Sequence, residues 1–134
     1  MRALVILVFA IEVLTQQARA DSVSDVDSRQ QNCEVRGAEQ FERRFELTRR
    51  AENNYVATYS NHFNTKSQKC FSVQVKVHYE TNGNRISSSV EYVVLDVDEG
   101  KVYGLLSDDQ CRIASTTCVS KTEWERSVSL LMQE

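Results

Sequence analysis

CFSVQVKVHYETNGNRISSSVEYVVLDV, residues 70–97, decides the fold. Its first ten residues alternate. Phe71, Val73, Val75, Val77 and Tyr79 fall on one face, and Ser72, Gln74, Lys76 and His78 on the other. A period of two is the signature of a strand packed on one side against a core. Asn82-Gly83 then supplies a tight hairpin turn. The return strand, residues 86–97, carries Ile86, Val90, Tyr92, Val93, Val94, Leu95 and Val97. Its apolar run predicts a central strand covered on both faces.

The flanks extend this hairpin into a meander. Upstream, YVATYSNHF (55–63) is aromatic and β-branched, which predicts a strand, although Tyr55 and Tyr59 also fit helical spacing. Downstream, KVYGLL (101–106) reads as a strand between the turns Asp98-Glu99-Gly100 and Ser107-Asp108-Asp109, and Cys111 to Cys118 reads as a last hairpin. Ahead of the meander, Val35, Ala38, Phe41, Phe45 and Thr48 recur at spacings of three and four, one face of an amphipathic helix that starts near Asn32. Glu39–Arg43 and Glu46–Arg50 are favourable i,i+4 pairs, Arg49-Arg50 suit the negative end of the dipole, and Asn53-Asn54 breaks the helix. At the far end, Ser120 and Glu123 form a capping box that opens a helix with Trp124, Val128, Leu131 and Met132 on one side. The expected class is α+β: an N-terminal helix, an antiparallel meander of about four to six strands and a C-terminal helix, both helices resting on one face of the sheet.

Residues 1–20 (MRALVILVFAIEVLTQQARA) read as a signal peptide, with a basic start, an apolar stretch over 3–14 and Ala18-Arg19-Ala20 before the cut. Twelve helical residues rise about 18 Å, short of a ~30 Å hydrocarbon core, so no membrane span is expected after the signal is removed. Residues 21–31 (DSVSDVDSRQQ) are polar and read as a loose leader, and 32–134 as a single disulfide-bonded domain. The expected address is export, to a bacterial periplasm or the extracellular space. The whole chain carries a formal charge of −3; losing Arg2, Arg19 and Glu12 with the signal leaves 14 basic against 18 acidic residues. That balance argues against a nucleic-acid partner, which calls for a basic face. Cys33, Cys70, Cys111 and Cys118 all follow the cut, and an even number in a small exported chain reads as two disulfides. Three pairings are open to four cysteines. Cys33–Cys70 and Cys111–Cys118 are favoured, the first tying helix to strand and the second stapling a hairpin.

Asn61-His62-Phe63-Asn64 followed by Lys69-Cys70-Phe71 resembles an uncharacterised family of small exported bacterial proteins with an Asn-His-Tyr-Asn…Lys-Cys-aromatic pattern. The likeness extends to Cys33 at the first helix, to the turn Asp96-Val97-Asp98-Glu99-Gly100-Lys101-Val102-Tyr103, and to Ser120, Glu123, Trp124, Met132 and Glu134 at the end. Phe63 stands where the family has tyrosine. The resemblance covers about residues 33–134; it implies export and a small disulfide-bonded domain and supplies no activity.

No catalytic constellation is legible. His62 and His78 are the only histidines, there is no Gly-x-Ser-x-Gly elbow, and four glycines make no phosphate loop. Asp96, Asp98 and Glu99 hint at calcium but lack the distal glutamate, so a charged turn is the simpler reading, and no metal or cofactor is expected. The cysteine separations rule out a zinc knuckle. The expected function is a non-catalytic binding or interaction domain for an unknown protein or small ligand, in which Tyr55, Tyr59, His62, Phe63 and Tyr103 would form the contact surface. The alternatives are a cystatin-like protease inhibitor, whose inhibitory Gln-x-Val-x-Gly loop is missing (Gln74-Val75-Lys76-Val77-His78 is the nearest text), and a small hydrolase built on His62 with Ser60 or an acidic residue.

Overall fold

A computed structural model describes residues 2–51 and 54–133, with side chains over 23–47 and 54–133. Helix α1 (Arg2–Ala51) leads into β1 (Tyr55–Asn64), β2 (Lys69–Asn82), β3 (Arg85–Asp96), β4 (Lys101–Leu106), β5 (Cys111–Ile113) and β6 (Thr116–Thr117), and α2 (Lys121–Leu131) closes the chain. The strands form one antiparallel sheet in the order β1-β2-β3-β4-β5-β6. The fold is therefore α+β, an N-terminal helix, a six-stranded meander and a C-terminal helix. The signal segment's side chains, Thr48, Arg49, Arg50 and the Asn53 half of the helix break lie outside the described side chains.

The β2–β3 hairpin turns one residue later than Asn82-Gly83 suggests. Asn82 pairs with Arg85, so Gly83 and Asn84 make the loop. Gly83 takes φ +64° at the first loop position, where a side chain would be strained and where glycine stands in a type II′ turn. β3 is central, and Val93, Val94 and Leu95 are buried in succession, as a strand covered on both faces requires.

The cover differs from expectation. The helices take opposite faces of the sheet rather than sharing one. Directly opposed residues in an antiparallel ladder share a face, so the register sorts the side chains. Phe71, Val73, Val94 and Leu106 pack with Trp124 and Val128 of α2, capped by Cys118. The other face of β2, with Cys70, Ser72 and Gln74, lies under α1. Ser72 is completely buried there, so β2 has no solvent face at that end despite its polar residues. The Ser120 side chain accepts from the Glu123 N–H (3.2 Å) and Glu123 returns a bond from the Val119 N–H (2.8 Å), so α2 starts where the capping box places it.

Two details of α1 correct the sequence reading. First, the helix does not begin at Asn32: residues 21–31 are helical, not a loose leader. That stretch has no proline or glycine, and Asp25–Arg29 (3.0 Å) and Gln30–Glu34 (3.0 Å) are i,i+4 pairs, so a helix anchored downstream propagates through it. Second, the packed stripe is Cys33, Gly37, Phe41 and Phe45, whereas Val35 is exposed. The bridge to Cys70 turns Cys33 inward and rotates the stripe off Val35. The two disulfides are Cys33–Cys70 (Cα–Cα 5.4 Å) and Cys111–Cys118 (5.1 Å), the favoured pairing. Such bonds belong to an oxidising environment. Among the described residues no helix is long and apolar enough to cross a membrane.

Candidate functional site

The residues of the Asn-His-Phe-Asn and Lys-Cys-Phe stretches meet the acidic turn at one corner, and nearly all are used as fasteners. Asn64 is buried; its Oδ1 accepts from the Ser67 N–H (2.8 Å) and its Nδ2 donates to the Leu131 carbonyl (3.1 Å), joining the β1–β2 turn to the end of α2. Lys69 donates to buried Asp96 (2.6 Å) and to Glu99 (2.7 Å). Hydrogen bonding to Asp96 is the chief force raising the Lys69 pKa, and hydrogen bonding from Lys69, then Lys101, lowers that of Glu99. Asp98 accepts from the Cys70 N–H (2.8 Å) and pairs with Arg36 of α1 (2.7 Å). The carboxylates that hinted at calcium thus answer Lys69, Arg36, Lys101 and backbone N–H groups. Among the described residues no group of three His, Cys, Asp or Glu side chains gathers as a metal site needs.

The five aromatic and histidine candidates do not form one surface. Tyr55 and Tyr59 join α1, where Tyr59 packs on Phe41 (ring centroids 4.3 Å) and Tyr55 on Phe45 (5.4 Å). The Tyr55 hydroxyl donates to the Phe45 carbonyl (2.8 Å). Phe63 is buried beside the Cys33–Cys70 bridge with the Arg29 guanidinium 5.7 Å from its ring centre. Tyr103 packs edge-on to Phe71 under the α2 side (5.2 Å). His62 opposes Phe71 on that same side, and its buried Nε2 has no hydrogen-bond partner among the described residues. Ser60 is exposed, and no hydrogen bond among the described residues joins it to His62. Gln74 to His78 lies within β2, not in a loop.

What the structure does assemble is a groove of about 80 Å³ between α1 and the sheet. Phe41, Phe45 and Tyr55 form one wall, Gln74 and Val93 the floor, and Arg44, Lys76 and Glu91 the rim. The Lys76 ammonium lies 4.7 Å from the Tyr55 ring centre, a cation–π contact that fixes the rim. Gln74 is the unusual member. It is 8% exposed, and its Nε2 is buried with no hydrogen-bond partner among the described residues. A buried amide donor without an acceptor costs about 1–3 kcal/mol. Of these residues the sequence reading placed only Tyr55 on a binding surface. Phe41 and Phe45 read as helix packing and Gln74 as a solvent-facing strand residue, because the alternation in β2 does not reveal that a second helix covers its polar face. A larger opening of about 290 Å³ beside the Cys33–Cys70 bridge is lined by Arg29, Arg36 and Asp98, which already pair with one another or with neighbours. No protein-family model matches the chain, and neither a curated protein nor a solved structure matches it.

Proposed function

We propose that this chain is a small exported bacterial protein acting as a non-catalytic binding domain, with the groove between α1 and β2–β3 as its ligand seat. The observation that carries the reading is the Gln74 carboxamide, buried on the floor of an aromatic-walled groove with its Nε2 unpartnered among the described residues. Pockets that hold small ligands combine apolar walls with a few placed polar groups. The matching ligand hydrogen-bonds to the Gln74 carboxamide and presents a compact flat or apolar body to Phe41, Phe45 and Tyr55. The groove's volume suits a fragment or a single protruding side chain rather than a large substrate. Export is supported by the two disulfides, by the signal-like first 20 residues and by the likeness of residues 33–134 to small exported bacterial proteins. Cleavage after Ala20 falls within α1 and leaves intact the contacts to the sheet, which among the described side chains start at Arg29.

The test is a titration of ¹⁵N-labelled protein with small aromatic carboxylates and N-acetylated aromatic amides. The expected result is a shift of the Gln74 side-chain amide, lost in Tyr55→Ala with the fold retained. Shifts that map elsewhere, or that survive in Tyr55→Ala and Gln74→Leu, would sink the reading.

A further inference from the structure

The two edges of the sheet are treated differently. The β6 edge is two residues long and is tied down by the Cys111–Cys118 bridge, a short edge that offers little to a passing strand. The β1 edge is ten residues long. At one end it is sealed from within: the Phe63 N–H donates to the Gln30 Oε1 (2.7 Å) and the Gln30 Nε2 donates to the Asn61 carbonyl (3.4 Å), so one α1 side chain stands in for a neighbouring strand. This also fixes direction. If Phe63 and Asn61 point their backbone groups outward, alternation makes Tyr55, Ala57 and Tyr59 do the same. No hydrogen bond among the described residues reaches the outward N–H and C=O groups of those three.

An open edge is ordinarily blunted by a lysine, a proline or a bulge. Residues 55–60, YVATYS, contain no charge and no proline, and their pairing with β2 runs without a register shift. The stretch is also nearly palindromic about Ala57. A two-fold axis there sets Ala57 against Ala57 of a second copy, Tyr55 against Tyr59, and Val56 against Thr58. Small meets small at the centre, aromatic meets aromatic on one face, and β-branched meets β-branched on the other, all favourable cross-strand pairs. On the α2 face, Val56 is 55% exposed and begins the row Val56–Val77–Val90, which the second copy would extend with its own Thr58–Val75–Tyr92 row.

We infer that β1 is an interface strand: a second copy of this chain pairs with it antiparallel about a two-fold axis at Ala57, joining two sheets into one. The interface is isologous, so each copy offers the same unpaired donors and acceptors to the other. Tyr55 and Ala57 also line the ligand seat, but the seat uses their side toward α1 and the interface uses their outward backbone groups.

The test is sedimentation of the oxidised chain, in the form its host accumulates, over a dilution series. Ala57→Pro removes an outward donor and leaves the β1–β2 ladder its bonds, because an edge strand tolerates proline where the N–H faces away. Val56→Lys with Thr58→Lys sets like charges opposite each other across the axis, and both positions are exposed. Val56→Lys with Thr58→Glu sets opposite charges there. The expected result is a wild-type dimer that dissociates on dilution, monomers for the proline and double-lysine variants, and a dimer restored in the lysine–glutamate variant that weakens with salt. A wild-type chain that stays monomeric throughout overturns the inference. So does a dimer that persists in the double-lysine variant, which decides the matter even if Ala57→Pro fails to fold.

Discussion

Replacing Gly37 by alanine should destabilise the protein, although a glycine inside a helix ordinarily gains about 1 kcal/mol on becoming alanine. Gly37 is buried in the stripe of α1 that faces β1. An added Cβ would collide with the whole carboxamide of Asn61: its Oδ1, Cγ and Nδ2 all stand closer than carbon tolerates. Asn61 could swing away only by giving up the bond from its Nδ2 to the Glu34 carbonyl (3.2 Å), worth about 1 kcal/mol. Otherwise the helix must lift, and overpacking of that kind costs about 1–3 kcal/mol. Set against the propensity gain of about 1 kcal/mol, Gly37→Ala should lose up to about 2 kcal/mol in total. In an Asn61→Ala background the obstruction is gone and the same change should gain about 1 kcal/mol, a coupling of about 1–3 kcal/mol between the two sites. Urea unfolding followed by the fluorescence of Trp124, the chain's one tryptophan and 3% exposed, measures all four corners of the cycle. A Gly37→Ala variant that is more stable than wild type, or a coupling near zero, would refute the claim that α1 is held at glycine distance from β1.

The two disulfides should be worth different amounts. By loop-closure entropy, removing Cys33–Cys70 (separation 37) with paired alanines should cost about 3.8 kcal/mol and removing Cys111–Cys118 (separation 7) about 2.4 kcal/mol; equal or reversed losses in urea unfolding would show that strain or residual structure dominates. Asn64→Ala should cost roughly 2–4 kcal/mol from its buried bonds to the β1–β2 turn and to α2, and hydrogen exchange should locate the loss at the end of α2; protection unchanged in α2 would contradict the role given to Asn64. Glu99, whose pKa is lowered by Lys69 and then Lys101, contributes stability that is full above the ordinary carboxylate range and is lost as pH falls through its folded value. Glu99→Gln should therefore flatten the fall in urea midpoint between neutral pH and pH 3, and an acid limb as steep as wild type would count against it.

The meander was legible because each strand carries its own local signal. Phe71 to Tyr79 alternate without a break, Val93 to Leu95 run on as a central strand must, and Ser120 with Glu123 marks the start of α2 within a residue. The layering was not legible, for a physical reason. Ser72 and Gln74 look like solvent-facing residues in a period-two pattern, and only the Cys33–Cys70 bridge, which brings α1 over them, makes them interior. The same bridge explains why Val35 falls off the packed face while Phe41 and Phe45 stay on it: a covalent tether outranks a weak apolar period. The candidate site fared worse. Tyr55 was found, but the groove's remaining wall comes from α1 and its floor from the hidden face of β2, so the site exists only once the third layer is in place.

The two covered faces also differ in kind. The α2 side is closed chiefly by carbon: Phe71, Val94, Leu106, Trp124 and Val128. The α1 side is closed by a disulfide, a ladder of aromatic rings and a row of polar side chains that no apolar core would choose. Asn61 and Ser72 oppose each other across the β1–β2 ladder and Gln74 follows two residues on; each has a buried side-chain atom with no partner among the described residues. Three such atoms in adjacent positions on one face, against His62 Nε2 and Trp124 Nε1 on the α2 side, oppose the ordinary rule that buried polar groups find partners. Departures from that rule gather where a sequence answers to something besides folding. The α2 side therefore supplies much of the apolar core that α1 needs in order to carry a polar, partly open underside, and Gln74 stands where that underside reaches the groove.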